Sequence, residues 1–152
     1  LFDTVFPYSF YYPRYATMIP DLRPTAEPYW ADLSFPLFKG TIHLSYKPVS
    51  GEESLDMYFN DARVFVNKHI PKATAIREEV VALDHNRVYG LIYEIRGKEA
   101  ASPLQFYVTD SVRHFLRGAL YFEVTPNNDS LAPVIRFLEE DIRHLLHTLN
   151  WK

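Results

Sequence analysis

The chain contains no cysteine among its 152 residues. This absence excludes disulfide bonds, thiolate nucleophiles and zinc or iron–sulfur sites built on cysteine. Glycine is scarce, with five scattered residues, so there is no glycine-rich loop to hold a phosphate group. There is no run of basic residues and the net charge is −3, which argues against nucleic acid as a partner. No stretch of about 18 apolar residues is present to span a bilayer.

Aromatic residues, in contrast, are abundant. They make up 16% of the chain, with 11 Tyr, 11 Phe and 2 Trp. This share predicts a β-rich core, an interaction surface, or both. Residues 1–152 fit one domain, and a chain of this length can bury a sizeable core. We therefore expect a single domain without internal repeats.

Prolines divide the first third of the chain into short extended pieces. Seven of the eleven prolines lie within residues 1–48, where each restricts its own φ and the residue before it. Aromatic residues alternate over residues 6–12, which predicts a strand. The alternation is clearer over residues 38–47, where the polar face includes His43 and Lys47. This pattern indicates a half-buried antiparallel strand.

Two helices are predicted from apolar residues at helical spacing. Ser50 and Glu53 fit a capping box at the start of a helix over residues 53–69. Ser130 is the predicted cap of a second helix over residues 131–149.

The second helix carries a long apolar stripe. We expect Leu138, Ile142 and Leu145 to be buried against a sheet, and Glu139 and Arg143 to be exposed.

The remaining segments predict an antiparallel sheet. Strands are expected over residues 74–83, 88–96, 104–109 and 115–125. Gly118, inside the last of these, indicates a bulge or a close approach of another group to the backbone. Turns are expected at residues 84–86 and 126–129. The fold class is therefore α+β, a mainly antiparallel sheet flanked by two helices.

Titratable residues form no pattern that requires catalysis or metal binding. His144 and His147 are three residues apart on the second helix, but no third ligand lies at metal-site spacing. Asp110, Ser111 and His114 are close in sequence, yet a catalytic triad depends on three-dimensional geometry. An Asp-Ser pair between strands is typical of a turn. We expect no enzyme activity, no metal and no cofactor.

Two patches are candidate binding surfaces. The first is residues 27–30, Glu-Pro-Tyr-Trp, because Tyr and Trp are favoured at protein interfaces; alternatively these rings fill the core. The second is residues 110–118, whose arginines either grip a partner's carboxylates by paired hydrogen bonds or form a structural ion pair in a sheet turn. The polar face of the strand over residues 38–47 extends this surface if the two strands are neighbours. The candidate residues are Tyr29, Trp30, His43, Arg113, His114 and Arg117.

Several long stretches of the sequence resemble the sequences of one protein family. Together these stretches span nearly the whole chain, and ordered similarity over this length is far more specific than a short motif. The order of the elements is also similar to the PsbP-like α/β/α sandwich, which says nothing firm about function. The strings at residues 6–10, 12–13, 27–30, 38–47, 109–122 and 126–134 resemble the gliding motility lipoprotein GldD family.

This resemblance implies a Bacteroidetes envelope lipoprotein that is needed for surface gliding and is tied to the type IX secretion system. Family members carry a signal peptide and a lipidated cysteine, so the resemblance implies a lipid anchor lost ahead of residue 1 and a position facing the periplasm. The implied function is a non-catalytic accessory or scaffold protein that binds other gliding and secretion lipoproteins. The alternative is a module that binds a small ligand or a peptide between sheet and helix. The resemblance transfers no catalytic residue.

Overall fold

Seven strands form one antiparallel sheet in a computed structural model that describes residues 1–124 and 127–152. The strands are β1 (Tyr8–Ser9), β2 (Thr17–Pro20), β3 (Ala31–Phe35), β4 (Gly40–Pro48), β5 (Ala75–Leu83), β6 (Val88–Arg96), β7 (Leu104–Thr109), β8 (His114–Phe122) and β9 (Asn150–Trp151), and the helices are α1 (Glu52–Asn67) and α2 (Asn128–Thr148). The sheet has the order β2-β3-β4-β8-β7-β6-β5. The predicted α+β class, with a mainly antiparallel sheet and two helices, is confirmed.

Helix α2 covers one face of the sheet with its apolar stripe. Leu138, Ile142 and Leu145 are buried, as their helical spacing predicts. They belong to one core cluster with alternate residues of the central strands, such as Leu44 of β4 and Leu116 of β8. Because side chains alternate along a strand, the intervening residues point to the opposite face, where α1 lies.

The polar flank of α2 is less exposed than predicted. Glu139 is only 7% exposed, and its Oε1 accepts hydrogen bonds from Arg143 at 2.7 Å and from Arg77 of β5 at 3.1 Å. Arg143 also donates to both carboxylate oxygens of Glu79. The expectation that Glu139 and Arg143 are exposed is therefore wrong. Helix α2 lies so close to β5 that an ion network bridges the two elements.

Helix α1 packs on the opposite face through few residues. Only Ala62 and Val66 of its 16 residues are buried. Tyr58 and Phe59 instead reach aromatic rings of the sheet, and the ring centroids of Phe59 and Tyr107 are 5.3 Å apart. Within the described residues, neither helix is long and apolar enough to cross a bilayer.

The predicted capping box of α1 is wrong. The N-cap is Gly51, which makes no side-chain cap and has a φ of 94°, a conformation that glycine adopts readily. The backbone N–H of Ser50 donates to Ser54 Oγ at 2.9 Å. The side chain of Ser54 therefore takes part in the helix start, and no reciprocal bond joins Ser50 and Glu53 among the described residues.

Helix α2 begins at Asn128, ahead of the predicted cap. The Nδ2 of Asn128 donates to the carbonyl oxygens of Gly97 at 2.7 Å and Ala100 at 2.9 Å. This buried anchor draws residues 128 and 129 into the helix, so the turn predicted over residues 126–129 is wrong there. Ser130 lies inside the first turn and is not the cap. Residues 125 and 126 lie outside the described residues.

The two ends of the chain pair with each other. Strand β1 is antiparallel to β9, and the pair is separate from the seven-stranded sheet. The strand predicted over residues 6–12 is therefore shorter than expected. Pro7 has no N–H to donate, and at the other end Phe10 forms its backbone hydrogen bonds with Phe2. Tyr8 and Phe10 are fully buried, with stacked rings 6.0 Å apart, and belong to the core cluster of α2.

Gly118 permits a close contact within the sheet. The ladders of β8 run past it without interruption, with Leu44 opposite on one side and Phe106 on the other. A Cβ at position 118 would lie 2.2 Å from Cε1 of Phe106. Of the two expectations for this glycine, the close approach is confirmed and the bulge is wrong. Strand β8 ends at Phe122, short of the predicted end at residue 125, which lies outside the described residues.

We expect Gly118→Ala to lower the free energy of unfolding by about 1–3 kcal/mol, because the added methyl group overpacks against the ring of Phe106. Urea denaturation measures this cost. In a Phe106→Leu background the ring atoms are gone, so the same substitution should cost less. Equal costs in both backgrounds would contradict the steric explanation.

Candidate functional site

A cleft of about 170 Å³ opens between α1 and the sheet, on the face opposite α2. It stays open because α1 approaches the sheet closely only at Ala62 and Val66. Four aromatic side chains and four polar or charged ones line it. The aromatic residues are Trp30, Tyr58, Phe65 and Phe115, and the polar ones are Ser45, Lys47, Asp61 and Arg117.

Arg117 supplies a positive charge inside the cleft. Its guanidinium carbon lies 4.2 Å from the centroid of the Phe65 ring, and its Nη2 donates to Gln105 Oε1 at 2.6 Å. Within the described part of the chain, Arg117 forms no salt bridge. Burial lowers the pKa of the guanidinium, although arginine stays charged in proteins. The result is a partly desolvated cation that a carboxylate can neutralise.

Trp30 and Lys47 form the side of the cleft away from α1. The Nζ of Lys47 lies 5.7 Å from the centroid of the Trp30 ring and forms an ion pair with Glu27. The Trp30 Nε1 donates to the carbonyl oxygen of Tyr46 at 3.0 Å, which fixes the indole in place. One ring of the patch at residues 27–30 therefore lines the cleft.

The neighbouring ring of that patch lies elsewhere. Tyr29 has a φ of 68°, and its ring packs edge-on against Phe6 and Tyr46 at centroid distances of 5.5 and 6.0 Å. Tyr29 does not line the cleft. Of the candidate residues named from the sequence, the cleft brings together Trp30 and Arg117.

His114 is buried on the other side of the sheet. It is 5% exposed, its ring stacks on Trp151 at 5.2 Å, and its Nδ1 is 2.8 Å from the Tyr46 hydroxyl. His114 and Arg117 are three residues apart on one strand, so they point to opposite faces. Arg113 is exposed in the turn before β8. These three residues therefore do not form one continuous surface.

Asp110 shapes the turn between β7 and β8. Its Oδ1 accepts backbone N–H bonds from Val112, Arg113 and His114 at 2.9–3.0 Å. Burial alone would raise the pKa of Asp110, but these N–H donors outweigh it and hold the pKa below its usual range. Ser111 adopts a φ of 68° within the same turn. The structure thus shows that Asp110, Ser111 and His114 belong to a hydrogen-bonded turn, which explains why they are close in sequence.

His43 lies on the same sheet face as the cleft and pairs with Asp32. Its Nδ1 is 2.6 Å from Asp32 Oδ1, and both side chains are partly exposed. Ser45 is the next residue of β4 on this face, but two residues along a strand span about 6.8 Å. No hydrogen bond joins Ser45 to His43 among the described residues. The nucleophile–base contact that covalent catalysis needs is not formed here.

The histidines of α2 do not gather further ligands. The ring of His147 faces His85 at a centroid distance of 6.4 Å, and His144 is exposed. Within residues 1–124 and 127–152, no group of three His, Cys, Asp or Glu side chains is placed to hold a metal ion.

The contribution of α1 to the cleft was not foreseen from the sequence. Tyr58 and Phe65 have the spacing of residues that face a sheet, yet Phe65 is 41% exposed and borders the cleft. The sequence feature that could have indicated the cleft is Ala62, a small residue between bulky rings on one helix face. Such a residue lets the helix backbone approach the sheet while the rings stand aside.

Comparison with known proteins identifies the family. The sequence model of the gliding motility lipoprotein GldD matches residues 2–151, nearly the whole chain. The chain belongs to the gliding motility lipoprotein GldD family. Membership makes this GldD-family chain a gliding motility lipoprotein, a membrane-anchored protein of the cell envelope. Comparison with curated proteins gives no significant match.

The fold of this GldD-family chain is similar to that of a cyanobacterial protein. The solution structure of cyanobacterial PsbP (CyanoP) from Synechocystis sp. PCC 6803 matches with a TM-score of 0.56 and 14% sequence identity. The match covers 99% of this chain and 89% of that chain. The PsbP-like architecture expected from element order is confirmed, and at this identity the likeness concerns the fold alone.

We expect the stability of the domain to fall as the pH drops below about 6.5, the ordinary pKa of histidine. Burial lowers the pKa of His114, so the unfolded chain binds the proton more tightly than the folded chain. The stability that neutral His114 contributes is fully present at pH values above the pKa of this histidine in the unfolded chain. It is lost as the pH falls towards the pKa of the same histidine in the folded chain. Urea denaturation at a series of pH values measures this slope.

His114→Phe keeps a ring against Trp151 and should make the slope shallower. Part of the slope should remain, because burial also lowers the pKa of His69. A wild-type slope in His114→Phe would contradict the assignment.

Proposed function

We propose that this GldD-family protein is a non-catalytic accessory component of the gliding machinery and the linked type IX secretion system. In this proposal it holds another envelope lipoprotein of that apparatus at the cleft beside α1, on the periplasmic side. The observation that carries the proposal is the environment of Arg117, a partly buried cation stacked on Phe65 with no carboxylate partner among the described residues.

The size of the cleft supports a side chain as its occupant. Its volume is about 170 Å³, and a cavity of about 150 Å³ holds one benzene-sized group. Sites for whole small molecules are larger, typically about 300–1,000 Å³. One ring or branched side chain of a partner protein fits this space. At this cleft, a complete small ligand, which is the alternative function, has less support.

The chemistry of the cleft suits a partner segment that combines an apolar and an acidic side chain. The rings of Trp30, Tyr58 and Phe65 offer apolar contact, and aromatic residues with Arg dominate binding energy at interfaces. The planar guanidinium of Arg117 suits the two oxygens of a carboxylate. The matching partner segment has one apolar side chain next to an Asp or Glu.

The surface beside the cleft extends this apolar character. Met57, Val64 and Phe65 of α1 are exposed by 53%, 65% and 41%. Neighbouring exposed apolar residues at the border of a cleft are typical of protein interaction sites. The outer face of α1 therefore belongs to the proposed docking surface.

A test in cells distinguishes the contribution of the cleft to gliding from that of the rest of the surface. Arg117→Met keeps the packing against Phe65 and removes the charge and its hydrogen bonds. We expect partner binding to weaken by about 2–5 kcal/mol and gliding to be lost, with little change in melting temperature. A photo-crosslinking residue at Asp61, on the border of the cleft, reports whether the partner is still held.

Arg113→Met is the matched control, because Arg113 is exposed in the turn before β8. It should keep both gliding and the crosslinked product. Arg117→Lys should show an intermediate loss, since lysine keeps the charge without the planar fork. Full gliding and crosslinking in a folded Arg117→Met variant would contradict the proposal.

A further inference from the structure

The two edges of the main sheet differ in their protection. Strand β2, at one edge, has four residues and ends at Pro20. Strand β5, at the other edge, has nine residues without proline and pairs with β6 in unbroken register. Proteins protect exposed edges by shortness, proline, bulges, charged side chains or a covering element. No described strand pairs with the outer side of β5, and of these devices the strand has the charged residues Arg77, Glu78 and Glu79.

Hydrogen bonds of β6 show which groups of β5 face outwards. The N–H of Ile95 donates to Pro103 at 2.9 Å, on the β7 side. In an antiparallel ladder both polar groups of a residue point to one side, and the side alternates along the strand. Glu94 therefore bonds towards β5, to its register partner Arg77. By alternation, the residues whose N–H and C=O groups point away from the sheet are Ile76, Glu78, Val80 and Ala82.

Side chains along this edge also lack cover. Val80 is 75% exposed. Glu78 is exposed and forms no salt bridge within the described residues. On the opposite face, Val81 and Leu83 border a groove of about 340 Å³ between β5 and the last turns of α2. An added strand would meet an acidic and an apolar residue on one face. On the other face it would meet a groove lined by apolar residues together with Glu79, Arg143 and His147.

We propose that β5 is a docking edge for an extended segment of another protein, which adds to the sheet as an antiparallel strand. Main-chain hydrogen bonds to the outward groups of β5 hold the segment, and alternate side chains specify it. The segment carries a Lys or Arg opposite Glu78 and a branched apolar residue opposite Val80. On its other face, an apolar residue contacts Val81 and Leu83, and a polar residue lies beside the Glu79–Arg143 ion pair. This site is separate from the cleft at α1 and does not depend on it.

A second copy of the chain fits this edge less well. In a two-fold antiparallel pairing that overlaps all of β5, Glu79 would lie opposite Glu79 of the other copy. Like charges directly opposite each other destabilise a sheet. Centring the pair on Val80 avoids this contact but leaves Ala75 and Ile76 of each copy unpaired. A different chain with a basic residue opposite Glu78 meets neither restriction.

Hydrogen exchange followed by NMR tests the proposal with a synthetic probe. The probe is a nonapeptide of alternating Val and Thr with one central Lys, and its matched control has Glu in place of Lys. We expect the Lys peptide to slow exchange at the outward amides of Glu78, Val80 and Ala82 by at least about tenfold. The Glu peptide should bind several-fold more weakly, because it meets Glu78.

Two substitutions at one position separate backbone from side chain. Val80→Pro removes an outward N–H without breaking a bond to β6, so the protection by the Lys peptide should disappear. Val80→Thr keeps the N–H and should retain the protection. If Val80→Pro fails to fold, a backbone N-methylated Lys peptide serves instead and should not bind wild-type protein.

Three results would overturn the proposal. The first is no protection of the outward amides by either peptide at millimolar concentration. The second is unchanged binding of the N-methylated peptide, which would show that main-chain hydrogen bonds are not used. The third is a dimer in sedimentation that Val80→Pro dissociates, since this would assign the edge to a second copy.

Discussion

The apolar stripe of α2 must be buried against one face of the sheet, and this contact decides the use of every other surface. Once Leu138 and Ile142 cover the face that carries Leu44 and Leu116, strand alternation places the intervening residues on the other face. Helix α1 buries few residues there, so this second face is only partly covered. The cleft at Arg117 and the open pair of Asp32 and His43 both result from this unequal cover.

Arg117 occupies an uncommon position for a charged residue. Arginine inside a fold is usually paired with a carboxylate, whereas this one rests on an aromatic ring and donates to a neutral amide. A neutral acceptor compensates less of the desolvation cost of a cation than an anion does. The contrast within the chain is Arg143, whose guanidinium binds Glu79, Glu139 and Glu140 and joins α2 to β5. The first arginine has no ion pair among the described residues, and the second joins two elements of the fold.

Local periodicity predicted the fold class, most strands and the buried stripe of α2, because these features depend on side-chain alternation within one segment. The start of α2 was missed because tertiary bonds decide it. The start of α2 depends on the bonds from Asn128 to Gly97 and Ala100, which no local pattern contains. The burial of Glu139 likewise depends on how near α2 comes to β5.

The candidate site was predicted in part. Arg117 and Trp30 line the cleft, but the approach of α1 to β8 that forms the cleft depends on the packing of the whole domain. The separation of His114 from Arg117, in contrast, was available from the sequence. An odd spacing on one strand places two residues on opposite faces. The predicted strand began at residue 115, which left His114 in the turn, whereas β8 begins at His114 and so includes both residues.

The pairing of β1 with β9 gives the domain a mechanical property. This ladder is only two residues long, supported by an ion pair between Lys152 and Asp3, whereas β4 and β8 are joined along nine residues. A pull on residue 1 acts on this short ladder first, yet the ladder opens only if the rings of Tyr8 and Phe10 leave the core. Full burial of one large apolar side chain stabilises a fold by about 1.5–3 kcal/mol. The resistance of this terminus to a pulling force therefore comes from its buried rings more than from its backbone hydrogen bonds.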